Sequence, residues 1–148
     1  AEQARITTQQ TADSWLLTLH AGPATRQLSR AELLAMPQSR ASLPIACVEG
    51  WSSGNQSWSG VRLRDLAALM DVVAMDYVYV ESLQTFGAFR AASLAPNQIH
   101  NQDSLLALKV NGVDLSMDHG YPARVIVPAA PGVHNTKWVS TITFHVPT

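Results

Sequence analysis

The chain has 148 residues, 47% of them hydrophobic and only 14% charged, with a formal net charge of −1. That describes one globular domain with material for a core, and it excludes a disordered segment and a basic nucleic-acid-binding surface. A single cysteine excludes an internal disulfide, and no apolar run approaches the ~18 residues of a membrane-spanning helix.

The elements follow in chain order. Ser14 to His20 reads as a strand, Gly22-Pro23 as a turn, and Ala24 to Leu28 as the hairpin partner. Ser29-Arg30-Ala31-Glu32 is a capping box that opens a short helix, which Pro37 ends. Ala41 to Val48 reads as a strand that delivers Cys47. Ser52 to Ser59 is polar and glycine-bearing, so a loop is expected there. Val61, Leu63, Leu66, Leu69 and Met70 fall at helical spacing, predicting a helix over 61–70. Tyr77 to Ser82 and Leu105 to Val110 are strands by their β-branched, aromatic or apolar content, and Asn111-Gly112 marks a tight hairpin turn. Arg124 to Pro128 is a buried strand. Val139 to Val146 closes the chain as a strand with alternation at Val139, Thr141, Thr143 and His145. Many strands with a few short helices, and no regular βα alternation, give an α+β class with a mostly β core. No repeat, linker or low-complexity segment divides residues 1–148.

Two segments carry more chemistry than composition explains. The first is Cys47-Val48-Glu49-Gly50-Trp51-Ser52, with Trp58-Ser59-Gly60-Val61 and Leu63-Arg64-Asp65-Leu66 after it. Cys47 stands where an apolar run meets a polar turn, a place suited to a ligand or nucleophile. A small buried hydrophobe is the alternative reading of the same thiol. The second segment is Asp118-His119-Gly120-Tyr121-Pro122-Ala123-Arg124, followed by Pro128, Gly132 and His134-Asn135-Thr136-Lys137-Trp138.

In this order and spacing the two segments resemble the sulfite-oxidase-type molybdopterin-binding domain. That superfamily includes eukaryotic sulfite oxidase, plant nitrate reductase and the bacterial periplasmic methionine-sulfoxide reductase. The resemblance runs from about Leu28 to Phe144. It implies a mixed-sheet, barrel-like core with short helices, and a molybdenum held by the dithiolene of molybdopterin and by one cysteine. By position that ligand is Cys47, and a soft thiolate suits a metal already bound by sulfur. The resemblance also assigns Ser82, His119, Arg124, Asn135, Thr136 and Lys137 to the pterin and its phosphate. Arg124 would supply a planar charged fork and Lys137 a point charge. Taken singly, each of these has an ordinary structural reading: Arg124 as a surface charge or a partner of Asp118, His119 as a turn histidine, Lys137 as a solvated side chain.

The chain also departs from the pattern. The position of Leu108 is a tyrosine near the metal in sulfite oxidases, and the arginines that follow their cysteine are replaced here, with Glu49 and Trp51 in that stretch. Weak or no sulfite oxidation is therefore expected. The first 29 residues lack the Asn and Tyr-Glu features of the reductase relatives. The function implied is oxygen-atom transfer on a small-molecule substrate, with electrons exchanged with an electron-transfer protein or membrane subunit, and no nucleic acid. Two other classes stand beside it. One is a cofactor-free domain of the same fold, serving as a binding or assembly module of a membrane protein. The other is a cysteine hydrolase using Cys47 with His119 or His134 as base. Relatives of this compact type resemble extracytoplasmic domains, so the natural polypeptide is expected to be longer at its N-terminus, with apolar spans that anchor it in a membrane.

Overall fold

The computed structural model describes residues 6, 14–44, 55–128 and 134–147. Among these residues ten strands form two five-stranded sheets. The first sheet has the order β2-β1-β10-β5-β6, from β1 (Leu16–Ala21), β2 (Ala24–Ser29), β5 (Tyr77–Ser82), β6 (Ala91–Leu94) and β10 (Val139–His145). It is mixed, because β1 runs parallel to β10 while its other pairs are antiparallel. The second sheet has the order β3-β4-β7-β8, from β3 (Ser39–Pro44), β4 (Asn55–Arg62), β7 (Leu105–Val110) and β8 (Val113–Asp114). A further strand, β9 (Arg124–Ile126), also pairs with β7. This is the mixed-sheet core with short helices that the resemblance implies, and among the described residues the two sheets do not close into a barrel. Three short helices complete the fold: α1 (Arg30–Ala35), α2 (Leu63–Leu69) and α3 (Pro96–His100).

One core joins both sheets and the helices. Leu17, Leu19, Val80, Ile142 and Phe144 meet Val61, Leu106, Leu108 and Val125, with Leu33, Leu66 and Ile99 from the helices. A second cluster of Ala41, Trp58, Leu105, Ala107 and Ile126 lies on the other face of the second sheet. Strand β7 is thus covered on both faces, which is why Leu105 to Leu108 reads as an unbroken apolar run rather than an alternation.

Several local expectations match the structure. The Ser29–Glu32 capping box is reciprocal: Glu32 N donates to Ser29 Oγ at 3.1 Å and Ser29 N to Glu32 Oε1 at 3.0 Å. Asn111 and Gly112 both have positive φ, 51° and 82°, as a two-residue hairpin between β7 and β8 requires.

Other expectations are corrected. Ser52 to Ser59 is not a loop throughout, because β4 begins at Asn55. Its pairing with β3 and β7 and the burial of Trp58 override the polar composition. The helix starts at Leu63 rather than Val61, since Val61 pairs with Leu106 and Arg62 is the extended N-cap. In β10 a register shift between Val139 and Thr141 turns Ile142 and Phe144 inward after Val139, breaking the even alternation. Strand β6 and helix α3 gave no sequence signal strong enough to be expected.

At the β4–β7 seam Ser59 faces Lys109 and Gly60 faces Ala107, so Leu108 is an extra, bulged residue on β7. The backbones close tightly beside it. A Cβ on Gly60 would lie 2.0 Å from the Leu106 carbonyl oxygen, so only glycine fits.

Candidate functional site

The turn between β8 and β9 sets one side of the site. Ser116 O accepts from His119 N and Tyr121 N, both at 3.1 Å, and Met117 O accepts from Gly120 N at 3.2 Å. Gly120 has φ +109°, and a Cβ there would sit 3.0 Å from Arg124 Cβ and 3.2 Å from Lys137 Cβ. Glycine therefore lets this turn lie directly on both cationic residues.

The other side is residues 134–138, laid along β9. Val125 N donates to Thr136 O at 2.8 Å, Val139 N to Ala123 O at 3.0 Å, and Val127 N to the Asn135 side-chain oxygen at 2.7 Å. Ser82, at the end of β5, donates its hydroxyl to Lys137 O at 2.7 Å and accepts from Gln84 N at 3.0 Å. Lys137 Nζ donates to Asp118 O at 2.9 Å, and Trp138 Nε1 to Met117 O at 2.7 Å. The six residues Ser82, His119, Arg124, Asn135, Thr136 and Lys137 are therefore joined by direct contacts or through neighbours in one region. Cys47 and the stretch after it lie outside the described residues. Among the described residues no group of His, Cys, Asp and Glu is placed to hold a metal.

Arg124 is the centre of this region. It is only 1% exposed, yet no carboxylate pairs with it among the described residues. Its two terminal nitrogens reach the carbonyls of His119 and Asn135, both at a long 3.4 Å, and its Nε has no partner. The guanidinium lies 5.1 Å from the centre of the Trp58 ring. Burial lowers its pKa to about 10, so it stays charged at neutral pH. Partial burial, and then the charges of Arg124 and Lys137, hold the His119 imidazole below its usual range.

Three of the five buried side-chain polar atoms without partners among the described residues belong to these two segments. Besides Arg124 Nε they include Thr136 Oγ1 and His134 Nδ1. Such groups are normally satisfied, so their occurrence in the segments that flank a buried cation fits an anionic ligand rich in hydrogen-bonding atoms. The residues present thus suit a phosphate-bearing cofactor.

Sequence reasoning left His134 out of the cofactor set, though it named it as an alternative base. It also missed Arg30, whose partners lie 78, 84 and 92 positions away and leave no local trace. Trp58 and Gly120 lay within the motif segments but had no role assigned. Leu108, read as a departure beside the metal, has its side chain wholly buried in the main core.

Comparison with known proteins identifies the family and the fold. The family model described as "Oxidoreductase molybdopterin binding domain" matches residues 4–146. Sulfite oxidase of Arabidopsis thaliana is 32% identical over 110 residues, covering 63% of this chain and 28% of its own length. Mitochondrial sulfite oxidase of Drosophila melanogaster is 28% identical over 156 residues, covering 88% of this chain and 27% of its own. The chain thus spans little more than a quarter of these relatives. In structure it is similar to the sulfane dehydrogenase SoxCD of Paracoccus pantotrophus, with a TM-score of 0.78 over 90% of this chain and 38% of that one, at 23% identity. The fold is therefore that of the sulfite-oxidase-type molybdopterin domain, and the chain belongs to the oxidoreductase molybdopterin-binding family.

Proposed function

We propose that this domain holds molybdopterin by its phosphate end at Arg124, with Cys47 as the protein ligand of the metal, and performs oxygen-atom transfer on a small substrate. The observation that carries the reading is Arg124 itself. A guanidinium removed from water, with two long bonds and a bare Nε, is costly unless an anion compensates it. A phosphate offers several acceptor oxygens to the fork at once. Thr136 and His134, on either side of the Asn135 whose carbonyl Arg124 reaches, carry further side-chain atoms without partners, and Lys137 adds positive charge while holding the Asp118 carbonyl. Ser82 and Asn135 act indirectly: each bonds the backbone that presents the others. His119, held toward its neutral form, offers a hydrogen bond without adding a full charge.

When bound, the cofactor supplies the two-electron oxygen-transfer chemistry. The stretch Val48-Glu49-Gly50-Trp51 has no cation to grip an oxyanion, so a neutral oxygen donor or acceptor suits the chain better than sulfite. An electron-transfer protein or a membrane subunit would complete the redox cycle. The same reading makes this an extracytoplasmic domain of a membrane-anchored parent. A native gene product with neither export signal nor apolar span would contradict that part.

The test is elemental analysis of protein expressed with molybdate, followed by assay with a sulfoxide and with sulfite under matched electron donors and acceptors. Wild type should carry molybdenum. Cys47→Ser should lose both metal and activity, because a hydroxyl is a hard and weakly acidic replacement for a thiolate. Brisk sulfite turnover would contradict the neutral substrate. Failure of the full-length protein to take up metal under any condition would move the reading to a cofactor-free binding or assembly module.

A further inference from the structure

Arg30 lies outside the site and outside the two cofactor-motif segments, yet it makes more hydrogen bonds than any other described guanidinium. It is the first residue of α1, immediately after the N-cap Ser29, so the capping box fixes where its side chain begins. Its Nη2 donates to Leu108 O at 2.8 Å and to Asp114 Oδ1 at 3.0 Å, and its Nε donates to Pro122 O at 3.2 Å. Its guanidinium also lies 4.9 Å from the centre of the Tyr121 ring.

The acceptors share one origin. On the edge of β7 away from β4, β9 pairs with Leu105 to Ala107, and β8 pairs with Lys109 and Val110. The bulged Leu108 falls between them, with no strand opposite it on either side. Arg30 fills that gap. It takes the Leu108 carbonyl, reaches Asp114 on β8, and reaches Pro122 at the foot of β9. The turn that carries His119 and Gly120 runs between those last two anchors.

We propose that Arg30 is a positioning residue for the anion site: its guanidinium ties both ends of the 115–123 segment to β7 and so sets the height of His119 and Gly120 over Arg124 and Lys137. A shift of this turn would move the His119 carbonyl off Arg124, the Met117 carbonyl off Trp138 and the Asp118 carbonyl off Lys137 together. The inference deepens the molybdopterin reading, but only its cofactor-retention arm rests on that reading.

Two indole N–H groups make the test specific. Trp138 Nε1 bonds Met117 O in the turn, whereas Trp15 Nε1 bonds Val139 O at the start of β10 and makes no bond to the turn. Hydrogen exchange at both indoles would be followed by NMR in wild type, Arg30→Met and Arg30→Lys. Arg30→Lys keeps the charge but cannot span three acceptors, so it covers the case in which Arg30→Met does not fold. Exchange at Trp138 should speed up while Trp15 stays as slow as in wild type. In molybdenum-loaded protein, retention after gel filtration should fall about tenfold or more, as for loss of an outer-shell partner. A folded variant with Trp138 as protected as in wild type would overturn the proposal, and so would equal loss at Trp138 and Trp15. If wild type carries no molybdenum, the cofactor reading fails while the exchange result still decides the role of Arg30.

Discussion

Two arginines in this domain are treated in opposite ways. Arg30, with 17% of its side chain exposed, has a carboxylate, two carbonyls and an aromatic ring. Arg124, at 1% exposure, also has an aromatic ring, Trp58, but only two long carbonyl bonds, no carboxylate among the described residues and a bare Nε. Burial should create the greater need for partners, yet the more buried group has the poorer set. The difference separates two uses of one side chain. The folded chain completes the coordination of Arg30, as expected of a structural tie. Among the described residues it leaves Arg124 short of partners, as the proposed anion site requires.

Substitutions at the two glycines probe the two regions with the largest effects. Gly60→Ala, at the bulge that Arg30 bridges, drives a Cβ into the Leu106 carbonyl and forces β4 from β7. It should cost about 3 kcal/mol or more, read as a lowered denaturation midpoint. Gly120→Ala puts a side chain at φ +109° against Arg124 and Lys137. Its expected cost is about 1–3 kcal/mol, with weakened cofactor retention as well. If Gly120→Ala left retention untouched, the turn would not be part of the site.

Smaller effects should distinguish the arginines themselves. Arg124→Met removes a buried, poorly compensated cation and keeps an apolar stem on Trp58, so the unloaded protein should stay within about 1 kcal/mol of wild type or gain stability. A loss of several kcal/mol would show that Arg124 is as structural as Arg30. Asp114→Asn removes the carboxylate partner of Arg30, but Asp114 is 55% exposed and the carbonyl bonds remain, so denaturation should register less than about 1 kcal/mol.

The smallest effect concerns protons. With the pKa of His119 depressed in the folded state, its contribution to stability is present above ~6.5. As the pH falls through that value the unfolded chain takes up a proton first, and the contribution declines until the folded ring is protonated too. Lys137→Met removes one repelling charge and should raise the folded pKa, flattening that decline. An NMR titration of the His119 ring reads this directly, and a downward shift in the variant would contradict the electrostatic picture.

Local chemistry was the legible part of this molecule. The Ser29 capping box, the Asn111-Gly112 turn and the all-apolar Leu105 to Leu108 strand each write their cause within a few residues. The motif segments likewise named Arg124, Asn135, Thr136 and Lys137 before their contacts were visible. What stayed hidden depends on distant pairing. β4 looks like a polar loop until β3 and β7 flank it, and Arg30 looks like a helix-opening charge until its three remote acceptors converge.

The claim that Arg124 awaits an anion is tested most directly by the molybdenum retained per chain after gel filtration, in wild type and in Arg124→Met, both expressed with molybdate and both shown to be folded. Wild type should retain the metal, and the variant should lose it by an amount matching roughly 1.5–3 kcal/mol of charge-assisted bonding. An Arg124→Met protein that stays loaded to the same level as wild type would contradict the account.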